Sequence, residues 1–435
     1  MKFQTERPAS WQTCMHCGNE VLETSPLARC NVCDGLLEVR HRPPDITPAE
    51  LIRRFTERRG GVPGATASGV WRFREVVLPS AESVVSHPEG NTPLLHRVAL
   101  DRWAGLDHLL LKHEGHNPTG SFKDRGMTVG VTQALRIGAR AVACASTGNT
   151  SASLAAYAAQ AGLPALVLVP AGGVALGKLA QTLAYGARTL LVRGDFDQCL
   201  RLVNQATAEL GVYLLNSINP FRIEGQKTII FELLQQLSWE APDWIVFPAG
   251  NLGNTAAFGK ALREALEWGL ISSRPRLAAV QAEGAAPFAQ SFADGFAQRH
   301  RVKAETIATA IKIGDPASYE RAVTAILETN GVVLSVPDSE ILEAKAAIDA
   351  SGVGCEPASA AGLAGLRRLV QQGTIEATDR VVAILTGHIL KDPGLLLRYH
   401  QEMEPLPPGA NRPAEIGPDI RELERALRDK SAKVW

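Results

Sequence analysis

The 435-residue chain has no excess of either charge, with 45 basic side chains against 45 acidic ones, and its isoelectric point lies near 7.1. Such a balanced surface argues against nucleic acid or an anionic membrane surface as the main partner. Long apolar runs are missing as well. The most apolar stretch, 163–169, is short and broken or bounded by Pro164 and Pro170, far below the roughly 18 residues of a membrane span. The first residues, MKFQTERPASW, lack the apolar core of a signal peptide, so the expected location is the cytoplasm. There is no repeat of fixed period and no extended low-complexity tract. What is present is a 45% hydrophobic composition, too apolar for a disordered chain and enough, at this length, for two or three domains with a large core.

Cysteine is sparse but unevenly placed. Of seven, Cys14, Cys17, Cys30 and Cys33 form two C-x2-C knuckles separated by twelve residues, while Cys144, Cys199 and Cys355 stand alone in apolar or helical surroundings. In a reducing compartment the paired knuckles favour metal over disulfides, and four thiolates at this spacing suit tetrahedral zinc. Gly18 and Gly35 supply the tight turns. The competing reading is a ribbon that has lost its metal. The three lone cysteines read as small core residues.

Residues 1–40 therefore form a ribbon, and HRPPDITPAE, with Pro43, Pro44 and Pro48, reads as its linker. From about residue 107, eight short apolar runs alternate with amphipathic segments: HLLLKHE, AVACAS, PALVLV, RTLLVR, VYLLNS, DWIVFPAG, RLAAVQAE and RVVAILTG. Runs of four to eight residues that are nearly all apolar read as strands buried on both faces, which predicts parallel sheet covered by helices. A Pro-rich segment, EPLPPGANRPAEIGP, sets off a charged helical tail from about Asp419.

Chemistry collects where these runs end, which is where open α/β sheets bind ligands. AVACA gives way to Ser146, Thr147, Gly148, Asn149, Thr150 and Ser151; DWIVFPA to Gly250, Asn251, Leu252, Gly253 and Asn254; VVAIL to Thr386, Gly387 and His388. Glycine turns opening helices present free amides and a favourable dipole to an anion. GNLGN lacks the Lys-Ser/Thr of a P-loop and the spacing of a dinucleotide fold, which disfavours ATP and NAD. In HEGHNPTGSFKDRGM, Lys123 follows a turn and starts a helix beside Arg125; a helix N-terminus and a neighbouring arginine both disfavour the ammonium, as a Schiff-base-forming amine requires. His113 and His116 lack helical metal-ligand spacing and read as structural.

The blocks EGHNPTGSFKDRG, STGNTSAS, NSINPFRIEGQKT, GNLGN and TGHILKD resemble the threonine synthase family, pyridoxal-phosphate enzymes of the tryptophan-synthase-β-like fold (fold type II), over roughly residues 85–395. The resemblance implies an α/β molecule with two parallel-rich domains and the cofactor in the cleft between them, plus the small N-terminal zinc ribbon. Residues 41–125 and 221–404 would form the large cofactor-binding domain, 126–220 the small one and 405–435 a tail. Lys123 would hold pyridoxal phosphate covalently and serve as the catalytic base. Asn149 would meet the cofactor's 3′-oxygen, the amides of Gly250, Asn251, Leu252, Gly253 and Asn254 its phosphate, and Thr386 its ring nitrogen. A neutral threonine there leaves the ring largely unprotonated and passes proton work to the lysine.

The family's reaction turns O-phosphohomoserine and water into threonine and phosphate. Asn216, Ser217, Arg222 and Thr150 would then grip the substrate phosphate, with Thr147 and Ser151 assigned to its carboxylate or to plain helix capping. A homodimer is the expected assembly. Two other readings stay open at this point: a threonine/serine dehydratase or phosphoserine-using synthase of the same fold, and a metal-ribbon binding or regulatory protein on a degenerate enzyme fold. The segments 285–320 and beyond 405 carry no resemblance.

Overall fold

A computed structural model describes residues 8–62, 64–146, 148–171, 179–193, 196–405, 407 and 409–428. Three sheets organise the chain. The N-terminal one is antiparallel, order β2-β1-β3, from β1 (Ser10–Cys14), β2 (Glu20–Leu22) and β3 (Leu37–His41). The largest has the order β12-β11-β10-β13-β5-β4, built from β4 (Leu94–His96), β5 (Leu109–His113), β10 (Trp244–Pro248), β11 (Arg276–Ala282), β12 (Val332–Val336) and β13 (Val381–Leu385). All its pairings are parallel except that of the edge strand β4 with β5. The third, β8-β7-β6-β9, is parallel throughout and comprises β6 (Ala141–Ala145), β7 (Ala165–Pro170), β8 (Arg188–Val192) and β9 (Val212–Leu214).

All eight apolar runs are strands, and β6, β10 and β13 are buried along their whole length, as two helix-covered faces demand. Two strands of the large sheet escaped the pattern. β4 is a three-residue edge strand, and β12 alternates between buried and half-buried positions because it too lies at an edge.

The ribbon is joined to the body rather than tethered by its linker. Val39 sits in the main core and Leu36 packs with Ala143 and Ala145 of β6. His41 Nε2 lies 2.6 Å from Glu224 Oε2, and Lys260 donates both to Val39 O at 2.5 Å and to Glu224 at 2.7 Å. His41, Glu224 and Glu264 converge like metal ligands, but the ammonium groups of Lys227 and Lys260 already pair with both carboxylates. The expected linker is short, since Thr47 caps a helix (Pro48–Gly60) with Pro48 in its first turn.

Beneath the cleft lies a buried ionic hub. Glu232 receives Lys112 Nζ at 2.5 Å, Arg125 Nη2 at 2.9 Å and Arg72 Nη2 at 2.9 Å, and also accepts from the amides of Asn91 and Thr92. Burial alone would push its pKa up, but the three cations outweigh that and hold it well below the carboxylate range. Removing one member of such a network strands charge in the interior. Glu232→Ala should therefore cost about 3–5 kcal/mol in urea unfolding, and a loss below ~1 kcal/mol would show that the three cations find other partners.

Candidate active site

The polar loops singled out in the sequence leave the carboxyl ends of β5, β6, β9, β10 and β13, which places them along one rim of the two parallel sheets. Lys123 opens the helix Lys123–Arg136. The turn before it is fixed by Asp124, whose carboxylate accepts from Thr119 N at 2.7 Å, Thr119 Oγ1 at 2.6 Å and Ser153 Oγ at 2.6 Å. Lys123 Nζ stands 3.9 Å over the Phe122 ring. Burial, then the charge of Arg222, push its pKa down to about 7 against the opposing pull of Glu356. The arginine responsible is thus not the sequence neighbour. Arg125, about 200° around the helix from Lys123, points into the hub, where Glu114 and Glu232 take its guanidinium.

Asn149 begins the helix Asn149–Ala161 and Thr386 follows β13. Both meet at a residue the sequence reading missed: Glu356 accepts from Asn149 Nδ2 and from Thr386 Oγ1, each at 2.8 Å. Thr386 Oγ1 also lies 2.9 Å from Ser359 Oγ, and Thr386 O accepts from Phe122 N at 3.0 Å, one residue from Lys123. Gly387 is required here, since a Cβ would meet the Glu356 carboxyl carbon at 2.4 Å. The available signal was Glu-Pro in GCEPASA: proline at a helix N1 position puts the preceding glutamate at the cap of Pro357–Gln371.

The glycine loop leads into the helix Gly253–Glu267 through Leu252, whose φ of 62° is left-handed. The first turn-closing bond is Ala256 N to Leu252 O, so the helix amides before it have no intrahelical acceptor and are available to an anion. Asn254 Oδ1 and Thr255 Oγ1 are buried without a partner. Asn251 braces the loop, donating to Ser217 Oγ at 2.6 Å and accepting from Ala317 N at 2.6 Å, while Ile311 occupies the space a side chain at Gly250 would need. The 285–320 segment, which resembled nothing in sequence, thus forms the back of this loop. Free amides, a spare hydroxyl and a lysine of depressed pKa together fit pyridoxal phosphate.

Arg222 lies on the short helix Pro220–Gln226, capped by Asn219. It is 1% exposed. Nη1 donates to Leu215 O at 3.1 Å, but Nε and Nη2 have no partner, and burial lowers its pKa only to about 10, so it stays charged. Asn216 Oδ1 accepts from Ala145 N at 3.0 Å, tying the ends of β6 and β9 together. Thr150 sits half-buried in the first turn of its helix. Ser151 spends its hydroxyl on Gly148 O at 2.8 Å, which is the capping alternative. Thr147 lies outside the described residues. His113 accepts from Gly115 N and stands 2.7 Å from Gly354 O through Nε2, a structural arrangement.

In the ribbon, all four cysteine sulfurs lie within 4.8 Å of one another, with Cys14 and Cys33 at 3.4 Å and Cys17 and Cys30 at 3.7 Å. Sulfurs bound to one zinc at about 2.3 Å would stand about 3.8 Å apart. The amides of His16 and Val32 point at Cys14 and Cys30, and the Val32 amide leads the forces that draw Cys30 down to about 6. Gly35 is needed because a Cβ would lie 2.9 Å from Cys14 Sγ. Cys144, Cys199 and Cys355 are buried.

A model of the pyridoxal-phosphate dependent enzyme family matches residues 85–387. Threonine synthase of Methanosarcina acetivorans is 46% identical over 391 residues, 89% of this chain and 94% of that protein. The chain belongs to the threonine synthase family of pyridoxal-phosphate dependent enzymes. Threonine synthase of Methanocaldococcus jannaschii is 43% identical over 96% of this chain and 99% of its own. Among solved structures, Escherichia coli threonine synthase superposes with a TM-score of 0.67 at 18% identity, covering 97% of this chain and all of that one. Maize serine racemase gives 0.61 at 22% identity over 80% of this chain and 95% of its own. The fold is therefore fold type II, and the family's cofactor is pyridoxal phosphate. Among the described residues no helix is long and apolar enough to cross a membrane.

A lowered lysine pKa has a direct readout, because only the neutral amine adds to an aldehyde. When the cofactor-free chain is mixed with pyridoxal phosphate, the rate of the rising visible-edge absorbance should climb with pH through a midpoint of about 7. A midpoint near ~10, the ordinary lysine value, would contradict the placement of Lys123.

Proposed function

We propose that this chain is a threonine synthase, converting O-phospho-L-homoserine and water to L-threonine and phosphate. The observation that carries this reading is the buried, charged Arg222, whose Nε and Nη2 lack partners among the described residues, close enough to Lys123 to disfavour its charge. A dianionic phosphate is a suitable counterion for such a fork. A dehydratase acting on serine or threonine has no phosphate to place there. Intact Lys123 and glycine-loop amides speak against a degenerate, non-catalytic scaffold.

Lys123 would anchor the cofactor, the amides of 250–254 with Thr255 would take its phosphate, and Asn149 and Thr386 would meet its 3′-oxygen and ring nitrogen. When bound, pyridoxal phosphate supplies an electron sink at the substrate's α-carbon. Once displaced by the substrate amine, Lys123 Nζ would take the Cα proton, hand it on so that it is neutral again, and then take a Cβ proton as phosphate leaves from Cγ. The two protons would return to Cγ and Cα while water adds at Cβ, its released proton balancing the one taken up by the departing phosphate. A depressed pKa keeps that amine available as a base near neutral pH. Asn216 and Ser217 line the approach to Arg222, and Thr150 adds a neutral donor; Ser151 acts as a cap, and Thr147 is left to the substrate carboxylate.

The division into 41–125 with 221–404, 126–220 and a tail from 405 follows the two parallel sheets in this reading. The four ribbon thiolates hold one structural zinc, and the enzyme works as a cytoplasmic homodimer.

The test is phosphate release with O-phosphohomoserine and with O-phosphoserine in parallel, alongside Lys123→Ala. Threonine and phosphate in equal amounts from the first substrate, and loss of more than about 99% of turnover in the variant, as expected when anchor and base are deleted together, are the expected results. Phosphate release from phosphoserine alone would transfer the chain to the alternative synthase reading.

A further inference from the structure

Glu356 stands at the cap position of the helix Pro357–Gln371, yet its side chain makes no cap hydrogen bond. The carboxylate is turned instead to two groups that come from different sheets. Asn149 Nδ2, on the helix after β6, donates to Oε2, and Thr386 Oγ1, after β13, donates to Oε1, each at 2.8 Å. Glu356 is 4% exposed. Among the described residues no cation lies within ion-pair distance of it, and Lys123 and Lys391 meet its charge only from further off. The backbone that carries it is fixed on both sides, since Lys345 Nζ donates to Cys355 O at 2.9 Å and Glu356 N donates to Gly387 O at 3.0 Å.

The two donors depend on this carboxylate unequally. Thr386 is held as well by Ser359, whose Oγ accepts the Thr386 N–H at 2.8 Å and lies 2.9 Å from its hydroxyl. Asn149 has no second hold of that kind: among the described residues Glu356 is the hydrogen-bond partner of its side chain. An asparagine amide has one accepting and one donating end, and either can be turned to a neighbour. A carboxylate only accepts, so it selects the amino end. One N–H of that end is spent on Glu356 and the other stays available. An anionic oxygen beside Asn149 would then meet a donor rather than the amide oxygen, which would repel it.

We propose that Glu356 is a positioning residue of the cofactor site: by taking one N–H of Asn149 it keeps the other aimed at the cofactor's 3′-oxygen, and so favours the form in which that oxygen is anionic and the proton lies on the nitrogen shared with Lys123. This rests on the cofactor placement proposed above. The competing role is purely structural, with Glu356 joining the two sheets and its loss lowering stability without altering what Asn149 presents.

The experiment records absorbance spectra of the holoenzyme. Bound cofactor absorbs at the visible edge when the proton is on nitrogen and in the near ultraviolet when it is on the 3′-oxygen, so the ratio of the two bands reports the donor at that oxygen. Glu356→Met, which keeps the length and removes the acceptor, should lower the visible-to-ultraviolet ratio about ten- to a hundred-fold, the size of one hydrogen bond to a charged group. Glu356→Gln, whose carbonyl can still take the Asn149 N–H, should recover most of that loss. Asn149→Ala should lower the ratio as far as Glu356→Met does, and the two together no further. A Glu356→Met enzyme with a reduced melting temperature and the parent ratio would make the role structural and overturn the proposal, as would losses that add in the double variant. Should Asn149→Ala itself keep the parent ratio, the cofactor placement fails and the role of Glu356 with it; a shift in Asn149→Ala but not in Glu356→Met overturns the proposal alone.

Discussion

The rest of the structure depends on two cations, Lys123 and Arg222, that have no carboxylate salt bridge among the described residues. Burial disfavours the charge of both Lys123 and Arg222, and the arginine further disfavours that of the lysine. A guanidinium left with two of its nitrogens unpaired is expensive to keep, so the fold must over-determine its position. It does so by packing the Arg222 helix against the Lys123 helix at backbone range: a Cβ at Gly225 would lie 1.8 Å from Arg125 O.

Support for this pair comes from both ends of the chain. Below, Glu232 and Glu114 collect the cations that would otherwise crowd the site, Arg125 among them. From the N-terminus, β3 reaches the Arg222 helix through His41 and Glu224 and the glycine-loop helix through Lys260. The ribbon is thus tied to both the Arg222 helix and the glycine-loop helix. Glu356 completes the arrangement by holding Asn149 and Thr386 on one carboxylate.

Much of this was legible in the sequence. Strands buried on both faces are largely apolar, so eight of the ten strands in the two helix-covered sheets declared themselves, the mostly exposed β8 through its aliphatic run alone, and the loops at their carboxyl ends carried the motifs. Edge strands such as β12 mix exposure and burial and lose that signal. Arg125 looked like the neighbour of Lys123 because sequence adjacency hides helical phase. Ile311 and Ala317 reach the site only through tertiary packing, from a segment with no local pattern of its own, and Glu356 was marked by nothing more than the Glu-Pro start of its helix. The ribbon's cysteine spacing was plain, but its grip on the body depends on single charged residues, His41 and Lys260, that no periodicity marks.

The central claim is that the unpaired guanidinium of Arg222 waits for the substrate's phosphate. The most direct measurement compares the affinities of L-2-amino-5-phosphonopentanoate and L-norvaline for the parent holoenzyme and for Arg222→Met, which preserves most of the buried volume. The account predicts that the phosphonate loses about ten- to a hundred-fold, as for a charge-assisted contact of roughly 1.5–3 kcal/mol, while norvaline and pyridoxal phosphate bind as before. Equal weakening of both amino acids, or weakened binding of pyridoxal phosphate alone, would contradict it.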